Sequence, residues 1–226
     1  MRRLVRAISS VLILSGLLLV IDAGVTLLWQ EPVTAVIALI KRGGIDKRLV
    51  DRPLTLTPLD NRVLAGITNS DARIAFYARL YARRAVTGDE IGTIDFPKLH
   101  ASYGVVQGTD TASLEEGPGH YPATAFPGVP GDTVAIAGHR TTYLAPFRYL
   151  NELKSGDLIV LTMPYARFTY QVQLQRIVTP TSLWITANKG YERLVLSACN
   201  PLYSASQRIA VFARLYEQEP LGQAAS

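Results

Sequence analysis

Between Arg167 and Gln175 apolar and polar residues alternate without a break. Phe168, Tyr170, Val172 and Leu174 fall on one side of an extended chain, and Thr169, Gln171, Gln173 and Gln175 on the other. A period of two is incompatible with a helix and predicts a strand with one face in a core and the other in water. Shorter stretches repeat the signal at Ile91–Phe96, Tyr103–Gln107, Thr133–Ala137, Asp157–Thr162, Arg193–Ala198 and Arg208–Leu215. Several short strands with few helices between them predict a mainly β domain over residues 90–216, built as a small sandwich or a closed barrel.

The chain before residue 90 has a different character. Arg2, Arg3 and Arg6 introduce an apolar run from Leu4 to about Leu28 that carries one charge, Asp22. That run is long enough to span a bilayer and lacks the small-x-small exit of a cleaved leader, so residues 1–30 read as a retained membrane anchor. The basic residues favour a cytoplasmic N-terminus, which puts everything after a single span outside the cell, with Asp22 near the outer end. Residues 31–89 read as a helical juxtamembrane segment: a helix from Glu31 to about Leu49 weakened by Gly43 and Gly44, a Pro-containing polar linker from Asp51 to Asn69, and a second helix to about Val86. Ser70 or Asp71 would cap that second helix, and its four arginines suggest a solvated spacer. Residues 217–226 are too polar and small to hold structure alone and read as a flexible tail.

The net charge of +5 comes from Lys and Arg scattered along the chain, a pattern that argues against a nucleic-acid partner. No His, Cys, Asp and Glu cluster has metal-ligand spacing, and the glycines and prolines between Gly117 and Pro130 punctuate loops without opening a helix that could cradle a phosphate. No cofactor or metal is therefore expected. Glu115-Glu116 is the nearest approach to a calcium site, and two adjacent carboxylates are more often merely solvated.

The one cysteine, Cys199, ends the apolar strand Leu194-Val195-Leu196-Ser197-Ala198 and precedes Asn200-Pro201, which cannot continue a central strand. Arg208 opens the next strand after a short connection, so an antiparallel pair would set a guanidinium beside the thiol. A fixed positive charge favours the nucleophilic thiolate and can also donate hydrogen bonds to an oxyanion. His139 follows the strand Thr133–Ala137 and Gly138, and so emerges at another strand end. A cysteine, a histidine and an arginine at strand exits can form a nucleophile, a general base and acid, and an oxyanion donor. Spacing alone does not bring them together.

Ala135-Ile136-Ala137-Gly138-His139-Arg140-Thr141-Thr142, then Leu196-Ser197-Ala198-Cys199, then Gln207-Arg208-Ile209-Ala210-Val211 resemble the three catalytic signatures of the sortase family, in the family's order. The resemblance spans about Glu90 to Tyr216 and includes Gly117-Pro118-Gly119-His120-Tyr121-Pro122. It implies an eight-stranded β-barrel with short helices and a site at the strand ends, carried by Cys199, His139 and Arg208. It also implies transpeptidation. Cys199 would cleave a C-terminal sorting signal of a surface protein between Thr and Gly, and an amine on a cell-wall precursor would resolve the thioester.

The cysteine strand departs from the family's commonest pattern, which has threonines where Val195 and Ala198 stand. The iron-uptake subgroup's extra helix has no room between Gln175 and Arg193, and the pilus-building subgroup's Asp-Pro-aromatic lid is absent. The Gly-His-Arg-Thr-Thr-Tyr string is most similar to the actinobacterial housekeeping group, class E, with class D next. That group prefers Leu-Ala-x-Thr-Gly signals, and Tyr143 would help select the alanine; His120 and Ala198 are further candidates for contact with substrate. Two rival readings are a hydrolytic cysteine peptidase using the same pair, and an anchored surface-binding β domain in which Cys199 is core.

Overall fold

The structure, a computed structural model, describes residues 2–29 and 54–225. The helix expected from Glu31 to Leu49 and the start of the linker lie outside the described residues. The chain divides into two units, Met1–Lys41 and Arg42–Ser226. The first contributes one helix, α1 (Arg2–Trp29), whose described apolar side chains from Ile8 to Ile21 are largely exposed. Among the described residues no helix is long and apolar enough to cross a membrane; the anchor segment is helical, and a spanning helix is not shown.

In the second unit the alternating segments become eight strands that close into a barrel in the order β1-β2-β3-β4-β7-β8-β6-β5. The strands are β1 (Glu90–Phe96), β2 (Ala101–Gln107), β3 (Gly119–His120), β4 (Thr133–Ala137), β5 (Leu158–Met163), β6 (Ala166–Val178), β7 (Arg193–Asn200) and β8 (Gln207–Pro220). Most neighbours are antiparallel, but β2 with β3 and β4 with β7 run parallel. Strand β3 has only two residues, Gly119 and His120, within a stretch that reads as loop punctuation; it is too short to show a period.

Strand β6 carries out its predicted alternation only in part. Phe168, Tyr170 and Val172 are buried, but the register slips between Val172 and Leu174, and Leu174 turns out to 42% exposure. A bulge adds one residue to one strand and so reverses the facing of the residues beyond it. Strand β8 is longer than its alternation suggests. Residues 217–220, expected in a polar tail, pair with Thr169 to Ala166 of β6, because that strand offers unpaired backbone for a ladder whatever the side chains. Beyond them Ala224 is buried, and Gln223 exchanges hydrogen bonds with the backbone of Leu54.

Among the described residues of the second unit, two helices precede the barrel. Within the expected linker, α2 (Pro58–Ala65) starts at a capping box in which Thr57 and Asp60 satisfy each other's backbone groups. Helix α3 (Ser70–Arg84) is capped by Asn69, whose side chain accepts from the Ala72 amide, one residue earlier than expected. It is not a solvated spacer: Ile74, Ala75, Tyr77, Ala78 and Leu80 are buried, and Ile74 and Tyr77 join the main core with Phe168 and Tyr165. Arg79, Arg83 and Arg84 are exposed, whereas Arg73 is half-buried and its Nε donates to the Ala224 carbonyl.

That core fills the barrel with Val134 and Ile136 from β4, Leu194, Leu196 and Ala198 from β7, and Ile209, Val211 and Ala213 from β8. The alternate residues of the same strands form a second, smaller cluster of Ala135, Val195, Ala210, Phe212 and Ile185 on the outer face of the wall. The functional side chains lie on this outer face.

Candidate active site

Period-two alternation puts Cys199 on the face of β7 that carries Val195 and Ser197, opposite the core residue Ala198. Cys199 is partly exposed and pairs directly with Arg208 of β8, as Ser197 pairs with Ala210 and Val195 with Phe212. The parallel ladder between β4 and β7 sets Thr133 beside Arg193 and Ala137 beside Ser197, and the Gly138 amide donates to the Ser197 carbonyl at 3.0 Å. The ladder ends there: β4 stops at Ala137, and His139 lies two residues past it, in the connection that leaves the strand beside the Cys199 end of β7.

Gly138 is needed for closeness. A Cβ there would sit 2.6 Å from a ring carbon of Phe147, so the glycine lets that buried ring pack on the strand end and fix where the chain leaves β4. The Phe147 amide donates back to the His139 carbonyl at 2.9 Å. Nε2 of His139 is buried with no hydrogen-bond partner among the described residues, an acceptor or donor held in reserve. Burial holds the His139 pKa below the ordinary imidazole range, and the Glu115 carboxylate partly opposes that shift.

Nη1 of Arg208 donates to the carbonyls of Ala205 and Gln207, both at 2.9 Å. Fixed by one nitrogen to its own loop, the guanidinium has Nε and Nη2 to offer a developing negative oxygen.

Tyr143 lies over the site with its ring centroid 5.1 Å from that of His139 and is 46% exposed. It stands first in a run of three left-handed residues, Tyr143, Leu144 and Ala145, with φ of 49°, 66° and 43°. Such backbone is costly without glycine and holds only where neighbours impose it. Glu115, first among the causes through a hydrogen bond, raises the Tyr143 pKa.

The structure separates the other two candidates from the thiol. Ala198 points into the barrel core, on the far side of β7 from Cys199. His120 is buried, with Nδ1 2.9 Å from Oε1 of Gln107 and Nε2 3.0 Å from the Ala125 carbonyl, so both ring nitrogens are engaged within the protein.

Sequence reasoning missed Ser197, which shares the thiol's face and lies 3.0 Å from the Tyr121 hydroxyl; counting two back from Cys199 along the strand finds it. It also missed the apolar floor running from the thiol: Ala135, Val195 and Ala210, flanked by Ile185, Phe212, Tyr121 and Val178. Trp184 stacks on Phe212 at 6.0 Å and 11°. Buried Arg193 ties this wall down, donating from Nε to Thr133 Oγ1 and from Nη2 to the carbonyls of Ile185 and Ala187. The result is a buried apolar cluster packed on the outer side of β4, β7 and β8.

The fold is thus a closed β-barrel with a partly exposed cysteine directly opposite an arginine and a histidine two residues past the end of the strand beside the cysteine strand. The sortase domain model matches residues 94–216, and the chain belongs to the sortase family. It is 38% identical over 117 residues to sortase D of Bacillus subtilis, a match covering 51% of this chain and 57% of that one. It is 28% identical over 148 residues to a sortase E1 of Streptomyces coelicolor, covering 59% of this chain and 42% of that one. The chain therefore spans about half the length of these curated relatives. The solved sortase E of Streptomyces avermitilis superposes with a TM-score of 0.54 at 31% identity, covering 62% of this chain and 99% of that one. Sortase E1 of Streptomyces coelicolor, solved with a tripeptide in its active site, gives 0.56 at 26% identity over 59% of this chain and 91% of that one.

Proposed function

We propose that this chain is a transpeptidase that cuts a C-terminal sorting signal of the LPxTG or LAxTG kind and passes the acyl group to an amine of a cell-wall precursor. The observation that carries the reading is the direct cross-strand pairing of Cys199 with Arg208, supported by His139 following two residues after the end of β4, the strand that runs parallel to the cysteine strand. The thiolate of Cys199 attacks the carbonyl of the threonine. Arg208 holds the tetrahedral oxygen. His139, protonated, gives its proton to the departing glycine amine, and the neutral ring then takes one from the incoming amine as it displaces the sulfur. Tyr143, exposed and with its ring against that of His139, stands where it can touch the signal.

The placement outside the cell is part of the same proposal. It draws on Arg2, Arg3 and Arg6 ahead of the apolar segment, and fractionation with protease protection of intact cells tests it. Surface proteins bearing the signal are the proposed donors. Hydrolysis differs only in water resolving the thioester, and product masses with and without added amine separate the two.

Incubated with a signal peptide and a glycine-type amine, the chain should yield the joined product, and Cys199→Ala should yield none. Arg208→Ala should lower kcat by roughly 10² to 10³, the ~2.7–4 kcal/mol typical of one oxyanion donor. Joining by the Cys199→Ala protein would sink the proposal.

A further inference from the structure

Arg140 follows His139 directly and is only 4% exposed. Its guanidinium is used from every side. Nη1 donates to the Cys199 carbonyl at 3.3 Å and to Asn200 Oδ1 at 2.9 Å. Nη2 donates to Asn151 Oδ1 at 2.7 Å and shares the Arg148 carbonyl with Nε, each at 3.3 Å. One planar group therefore joins the residue after the base, the residue that carries the nucleophile, and the far end of the loop between them in space.

All of these acceptors are neutral oxygens. Burying a cation without an anion is expensive, and burial is the first cause of the lowered Arg140 pKa, with the neighbouring charge of Arg148 second and Cys199 acting the other way. What the arginine supplies is a rigid five-donor fork, which a lysine cannot reproduce.

The loop it fastens has reason to need fastening. Tyr143, Leu144 and Ala145 are all left-handed, so the segment between β4 and Leu150 stores strain next to the imidazole. The Phe147 amide and the packing of its ring on Gly138 hold the near side; the Arg140 fork holds the rest to the end of β7.

We infer that Arg140 is a positioning residue that locks His139 to the Cys199 strand end. This rests on the reading of Cys199 and His139 as the reacting pair. The other charged or titratable groups around them are Arg208 on β8, Glu115 toward His139, Arg148 on the fastened loop, and Tyr203, whose hydroxyl accepts from Arg148 at 3.4 Å.

In the full chain, Arg140→Lys keeps the charge and loses the fork: kcat for peptide joining should fall about tenfold or more with KM little changed, as misplacement of a reacting pair does. Asn151→Ala removes one acceptor while leaving the arginine in place, and should lower kcat several-fold at an unchanged melting temperature. Both variants should also be alkylated at Cys199 by iodoacetamide several-fold more slowly than the native chain, because a displaced imidazole no longer assists the thiol. Wild-type kcat and alkylation rate in both variants, or losses that merely track the unfolded fraction, would overturn the positioning role. Alkylation needs no peptide, so a chain that joins nothing would count against the transpeptidase reading while the positioning effect is still read.

Discussion

Single side chains in this protein are set by what surrounds them, and two of them make measurable claims. Burial pushes the His120 pKa down to about 4 from an ordinary 6.5. The folded chain therefore binds fewer protons here than the unfolded one, and this contribution to stability is complete above about pH 6.5 and lost as the pH falls through about 4. It amounts to roughly 3 kcal/mol at neutral pH. Urea unfolding at pH 7.5 and 5 should show the fall in the native chain and a smaller one in His120→Gln; equal slopes would refute it. Gly138→Ala should be destabilising because the Phe147 ring must move, by about 1–3 kcal/mol, and calorimetry reads the shift. Neither effect was legible in the sequence. The glycine before His139 looks like a flexible joint, and only the ring placed on it from Phe147 shows a contact.

At the scale of elements, the strands were the most legible part and α3 the least. Period-two alternation needs only local spacing, so β1, β2 and β4 to β8 announce themselves, within a residue or two at most ends. Alternation does not say where a ladder stops, which is why β8 runs on to Pro220 and why the bulge in β6 turns Leu174 outward. In α3 the four arginines hid a buried face, because a helix reads as a spacer until something is shown to lie against it. Ile74→Ala should cost about 2–5 kcal/mol, since Ile74 is fully buried in the main core. A chemical denaturation midpoint equal to the native chain's would return α3 to the spacer role.

For the second unit as a whole, the helices ahead of the barrel are part of its closure. Leu54 pairs with Gln223, Nε of Arg73 donates to the Ala224 carbonyl, and Tyr77 lies in the core. A chain beginning at residue 54 should therefore melt cooperatively, whereas one beginning at residue 90 should lose a wall of its core and fail to do so; similar melting curves from the two would refute this. The sequence by itself determined every strand but β3, the mainly β class and the residue types at the three strand ends, because alternation and chain punctuation are local properties. Only the tertiary structure decided that Ala198 faces inward and Ser197 shares the thiol's side, that β4 runs parallel to β7 and releases the chain before His139 beside it, and that Arg140 donates to the Cys199 carbonyl. The physical reason is that facing and register depend on which strands become neighbours when the sheet closes, a relation between residues distant in the chain that no local pattern encodes.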